Sequence, residues 1–130
     1  MNVSQCTLIN ALSCSPETPL PEVARILREH KQRRILVVNQ NQEPIGILST
    51  TDMNNRVIAE NQNASTLAAQ DIMTQPIHLV CDLNDSLNEV YHKMIKKTSY
   101  YCPVTREGKL YGILTYGEMV RCLNHLLHHG

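Results

Sequence analysis

An internal repeat is the feature that most limits what this 130-residue chain can fold into. At an offset of 67, Thr7 matches Thr74, Leu12 matches Leu79, Cys14 matches Cys81 and Thr18 matches Asp85. The same offset pairs Leu20 with Leu87, Val23 with Val90 and Leu27 with Met94. One residue is then lost. At an offset of 66, Val38 matches Val104, Gly46 matches Gly112, Ile47 matches Ile113, Leu48 matches Leu114 and Ser49 matches Thr115.

Each copy reads as β-α-β-β-α. A short strand (Leu12 to Cys14, or His78 to Cys81) precedes a helix start, with Thr18 and Asp85 as expected N-caps. Apolar residues at helical spacing predict helices over Leu20 to His30 and Leu87 to Lys96. A strand follows (Ile35 to Val38, or Tyr101 to Val104), then a polar turn and a second strand (Ile45 to Leu48, or Leu110 to Leu114). A closing helix starts near Asp52 or Glu118. The expected class is α+β. Residues 6–60 form the first motif, 61–70 a polar connector and 71–126 the second motif. One copy cannot cover both faces of its sheet, so the two are expected to pack about a pseudo-twofold axis, with a ligand cleft on each side.

Charge and composition exclude several classes. Twelve basic and twelve acidic side chains cancel, which argues against a nucleic-acid polymer or an anionic membrane as partner. With five Tyr and no Trp or Phe, a base-stacking platform is not expected. No apolar run reaches membrane-spanning length and no secretory layout opens the chain, so a cytoplasmic location is expected. The five cysteines include no C-x-x-C pair and read as free thiols, with no zinc site or disulfide frame. His125 and His129 have ligand-like helical spacing, but no carboxylate or thiol accompanies them, so no metal site is assigned.

Ile35-Leu36-Val37-Val38-Asn39 with Gly46-Ile47-Leu48-Ser49-Thr50-Thr51-Asp52 resembles the CBS family, named after cystathionine β-synthase. So does Tyr101-Cys102-Pro103-Val104-Thr105 with Gly112-Ile113-Leu114-Thr115-Tyr116-Gly117-Glu118. Asp71-Ile72-Met73-Thr74 is similar to the family's entry to a motif. The resemblance runs from about Cys6 to Leu126. It implies a two-motif module that binds AMP, ADP, ATP or an S-adenosylmethionine-like ligand in its inter-motif clefts. It also implies pairing into a homodimer, no resident cofactor and regulation of a separate, unidentified partner protein.

Carried over by position, the resemblance assigns ligand binding to Ser49, Asp52, Ile47 and Thr51. The opposite wall would come from Thr74, Ile77, His78 and Leu79, with Arg33 and Arg34 facing phosphates. The chemistry suits these residues. A carboxylate accepts from both hydroxyls of a ribose, a hydroxyl at a helix N-terminus suits a phosphate or ribose oxygen, and Arg offers a planar donor fork. Against this stand plainer roles: Asp52 as a helix cap, His78 as a half-exposed strand residue, and His30 to Arg34 as a solvated run at a helix C-terminus. The second cleft would use Thr7, Ile9, Leu12, Thr115 and Glu118. There Glu118 replaces Asp, and Ser99-Tyr100 stands in place of Arg33-Arg34, so asymmetry between the clefts is expected. A dimerisation module with vestigial clefts is the alternative. Catalysis finds no support, since neither G-x-S-x-G nor a phosphate-binding G-x-x-x-x-G-K-[ST] loop is present and no catalytic residue is assigned.

Overall fold

The computed structural model describes residues 1–129, with side chains through His125. The chain forms two compact units, Leu12–Ile77 and Met1–Ala11 together with the chain from His78 onward. Each holds a three-stranded sheet with helices, so the class is α+β. Residues 71–77, which open the second motif as read from the sequence, fold with the first unit, and residues 6–11, which open the first motif, fold with the second.

In the Leu12–Ile77 unit, β1 (Ser13–Cys14) runs parallel to β2 (Arg34–Val38), which pairs antiparallel with β3 (Pro44–Ser49). Helix α1 (Leu20–His30) buries Leu20, Val23 and Leu27, one stripe at helical spacing. They pack with Ile35, Val37 and Leu48 from the sheet and Ile72 from α3 (Ala69–Ile72). The short α2 (Thr50–Met53) runs directly into a π-helical turn, Asn54–Ile58. Residues 61–70 do not cross open space. The Leu20 N–H donates to the Leu67 carbonyl and the Ala69 N–H to the Thr18 carbonyl, which ties this stretch to the start of α1.

The other unit repeats the plan. Strand β4 (Cys81–Asp82) runs parallel to β5 (Tyr101–Arg106), which pairs antiparallel with β6 (Lys109–Thr115). Helix α4 (Leu87–Lys97) buries Leu87, Val90 and Met94 against Cys102, Val104, Leu114 and Met119. Helix α5 (Tyr116–His129) closes the unit, and Val3 from the N-terminal stretch joins its core. All five cysteines are free thiols. Cys6 is pushed up to about 12 by burial and by its hydrogen bond with Cys122, and Cys14 to about 11 by burial. Cys81 is raised first by its hydrogen bond with Cys102, whose sulfur lies 3.2 Å away, and then by burial. Among the described residues, no helix is long and apolar enough to cross a membrane.

Three expectations need correction. The N-caps are Pro19 and Ser86, each one residue beyond Thr18 and Asp85. Those two side chains turn backwards instead: the Thr18 hydroxyl accepts from the Ser15 N–H and the Asp85 carboxylate from the Asp82 N–H, each closing the turn before its helix. The lost residue also lies later than the sequence comparison places it. Cys14 pairs with Val37 and Cys81 with Val104, so the offset of 67 persists through β2 and β5, and Val37, not Val38, is the partner of Val104. The offset changes only in the hairpins. Asn39 to Glu43 is held by the Asn39 carboxamide, whereas the second unit turns on Glu107 and Gly108, both at positive φ. By this register, Tyr100-Tyr101, not Ser99-Tyr100, stands where the first unit has Arg33-Arg34.

Candidate ligand site

Strand β3 ends at Ser49, whose backbone is still extended (φ −125°, ψ 165°) as it caps α2. Its hydroxyl accepts from the Asp52 N–H at 3.1 Å, and Asp52 Oδ2 accepts from the Ser49 N–H at 2.9 Å. Asp52 is therefore the third-position partner of a capping box, with Ser49 as the cap itself. Among the described residues, the other oxygen, Oδ1, is engaged only at longer range. Thr74 Oγ1 donates to it at 3.5 Å, and Arg56 Nε lies 3.8 Å away.

Thr74 arrives by an antiparallel bridge to Ile47. The Ile47 N–H donates to the Thr74 carbonyl at 3.1 Å, and the Thr74 N–H to the Ile47 carbonyl at 2.8 Å. Gly46 makes this approach possible: a Cβ there would fall 2.4 Å from Met73 Sδ and 3.3 Å from the Thr74 carbonyl oxygen. Arg33 joins the same end of the sheet, its carbonyl accepting from the Thr50 N–H at 3.0 Å, and Arg34 pairs with Ser49 across β2 and β3. Both arginines and Thr51 are exposed, while Ile47 is half-buried.

Arg56 was not singled out by the sequence motifs. Its guanidinium donates to the Ile72 carbonyl at 2.9 Å, the Met73 carbonyl at 3.2 Å and Thr74 Oγ1 at 3.3 Å. The available signal was its spacing, four residues after Asp52 in a helical stretch. Of the remaining wall residues, Ile77 is half-buried in the same unit, whereas His78 and Leu79 fold in the other. Leu79 is 4% exposed within that unit's core, and His78 is exposed, its carbonyl accepting from Lys97 Nζ at 2.6 Å.

The second unit builds the same frame with different contents. Ile9 bridges Ile113, and a Cβ on Gly112 would meet Leu8 Cβ at 3.0 Å and the Ile9 carbonyl at 3.3 Å. Ile9 therefore occupies the place of Thr74, two residues from where matching Thr7 to Thr74 puts it. Thr7 instead offers its N–H to Glu118 Oε1 at 3.1 Å. Arg121 grips the same carboxylate with both arms of its fork, Nε reaching Oε2 at 2.8 Å and Nη2 reaching Oε1. The fork and the Thr7 N–H hold the Glu118 carboxyl below its ordinary range, the Arg121 bond contributing most. Thr115 Oγ1 accepts from the Glu118 N–H at 3.3 Å. Leu12, grouped with these residues on sequence grounds, folds in the first unit and packs on its core.

In place of Arg33 and Thr50 stand Tyr100 and Tyr116, their rings edge to face at 5.2 Å, with Tyr91 stacked on Tyr116 at 6.3 Å. Among the described residues, open hollows of about 440 and 330 Å³ are lined by neither Asp52 nor Glu118, although the smaller one touches Leu8 and Ile9. No group of three metal-binding side chains occurs among the described residues, and the side chains of His128 and His129 lie outside them.

A family model described as the CBS domain matches residues 3–58 and 69–125. An uncharacterized protein of Methanopyrus kandleri is 29% identical over 122 residues, 93% of this chain and 62% of that protein. The meiotically up-regulated gene 70 protein of Schizosaccharomyces pombe is 26% identical over 107 residues, 82% of this chain but 14% of its own length. The chain thus spans less than two thirds of either curated relative. Among solved structures, the CBS-pair protein CBSX2 of Arabidopsis thaliana matches with a TM-score of 0.79 at 24% identity, covering 99% of this chain and 98% of that one. CBSX2 in complex with AMP matches at 25% identity with a TM-score of 0.75, covering 97% and 98%.

Proposed function

The chain belongs to the CBS-domain family, as a tandem pair, and from that premise we propose that it is a regulatory module that senses an adenine nucleotide through its first unit. Ser49, Asp52 and Thr74 would hold the ribose, while Arg33 and Arg34 would meet the phosphates. The observation that carries this reading is the uneven use of the Asp52 carboxylate. Oδ2 is anchored by Ser49, which sets the orientation, while Oδ1 has only the 3.5 Å contact from Thr74 and the distant Arg56. A carboxylate has about four acceptor sites, and a contact that long leaves Oδ1 able to take ribose hydroxyls. That CBSX2 has been solved in complex with AMP supports the choice of ligand class.

In this reading the module has no catalytic role, acts as a cytoplasmic homodimer and signals to a separate protein. A ligand can do so only by binding two conformations with different affinity. Calorimetric titration of the wild type and Asp52→Ala with AMP, ADP, ATP and S-adenosylmethionine tests it. The wild type should bind at least one of the three nucleotides, and Asp52→Ala should weaken that binding at least tenfold while keeping a cooperative thermal melt. Binding of S-adenosylmethionine alone would change the ligand class. No binding and no thermal shift with any of the four would favour a dimerisation module with vestigial clefts.

A further inference from the structure

The two units form an internal control, since the same frame carries an acidic residue at the same corner in both. In the first, Asp52 Oδ1 has only long contacts. In the second, both oxygens of Glu118 are taken by the Arg121 fork, and Oε1 also accepts the Thr7 N–H. Glu118 meets its arginine three residues ahead in α5, whereas Asp52 has one four residues ahead and only at 3.8 Å. The first unit has Asn55 at the position of Arg121, so the fold itself does not require an arginine there.

We propose that Arg121 closes the second unit's counterpart of the ligand site, and that with the fork withdrawn Glu118 accepts the vicinal diol of an uncharged nucleoside. The proposal rests on the nucleotide reading of the Asp52 site. The uncharged class follows from what flanks Glu118. Tyr100, 54% exposed, and Tyr116 replace Arg33 and Thr50, so aromatic faces stand where the first unit offers a cation and a hydroxyl. Arg121 is itself 64% exposed, so its side chain can swing away into solvent without vacating a packed position.

The test is calorimetric titration of wild type, Asp52→Ala, Arg121→Gln and the Asp52→Ala/Arg121→Gln double variant with adenosine and 2′-deoxyadenosine, each protein first checked by thermal melting. Relative to Asp52→Ala, the double variant should bind adenosine at least fivefold more tightly and prefer it to 2′-deoxyadenosine. An unchanged or weakened adenosine affinity in the folded double variant overturns the proposal, as does a gain with no preference for the diol. If Arg121→Gln does not fold, Arg121→Lys keeps the charge without the planar fork and should show a smaller gain. The wild type against Asp52→Ala reports on the first site alone. Failure of the nucleotide reading there is therefore distinguishable from failure here, which is read from Asp52→Ala against the double variant.

Discussion

Thr74 Oγ1 donates to Asp52 Oδ1 at 3.5 Å from 22 positions further along the chain, within one compact unit. The contact exists because two independent features bring the entry segment onto β3: the glycine that leaves room for it and the arginine that clamps it. Both can be tested separately from ligand binding.

Arg56→Ala should loosen the entry segment without unfolding the unit. It removes donors from the Ile72 and Met73 carbonyls and the pair with Asp52. Because Arg56 is about half exposed, the expected cost is modest, about 1 kcal/mol. Urea denaturation measures that cost. Amide exchange at Thr74 and Ile47 should accelerate more than exchange at Val37, and equal acceleration would mean that Arg56 does not hold this segment.

The two motif glycines should respond differently to alanine. At Gly46 the nearest obstacle is the flexible end of Met73, so Gly46→Ala should be relieved in large part by Met73→Ala. At Gly112 the obstacle is Leu8 Cβ, close to its backbone, with the Ile9 carbonyl behind it. Gly112→Ala should cost about 1–3 kcal/mol, and shortening Leu8 to Ala should recover little. Chemical denaturation of the singles and doubles decides this, and a Gly112→Ala variant as stable as wild type would refute the close approach.

Acid should open the Glu118 contacts. Its folded pKa lies below the ordinary 4.5, so its stabilisation is fully present above about pH 4.5 and is lost as pH falls through the lowered value. Melting temperature should therefore fall more steeply below pH 4.5 in wild type than in Glu118→Gln. Parallel profiles for the two proteins would contradict the assignment.

Thiol chemistry should be slow in the native protein. Cys6, Cys14 and Cys81 all hold their protons above the ordinary range, and only Cys6 is more than marginally exposed. At pH 8 an alkylating reagent should label at most Cys6 at an appreciable rate, and all five after unfolding. Rapid native labelling of Cys81 or Cys102, counted by mass spectrometry, would show that the β4–β5 core opens readily.

The sequence by itself determined the duplication, the α+β class, and the stripe of Leu20, Val23 and Leu27 with its counterpart; it read Asp52 as the cap of its helix, a place the structure gives to Ser49. The stripes are local matters: periodicity is set within a few residues, so it is legible in one dimension. The tertiary structure alone decided which entry segment folds with which sheet, that Ile9 stands at the Thr74 position, that the residue is lost in the hairpin, and that Arg56 and Arg121 engage the two carboxylates so differently. A two-residue slip leaves strand alternation unchanged, so side-chain pattern cannot detect it, and only the bridges to Ile47 and Ile113 reveal it. The two arginines also stand at different places, Arg56 four residues after Asp52 and Arg121 three residues after Glu118. Asp52 therefore has one long ion pair and Glu118 a close fork.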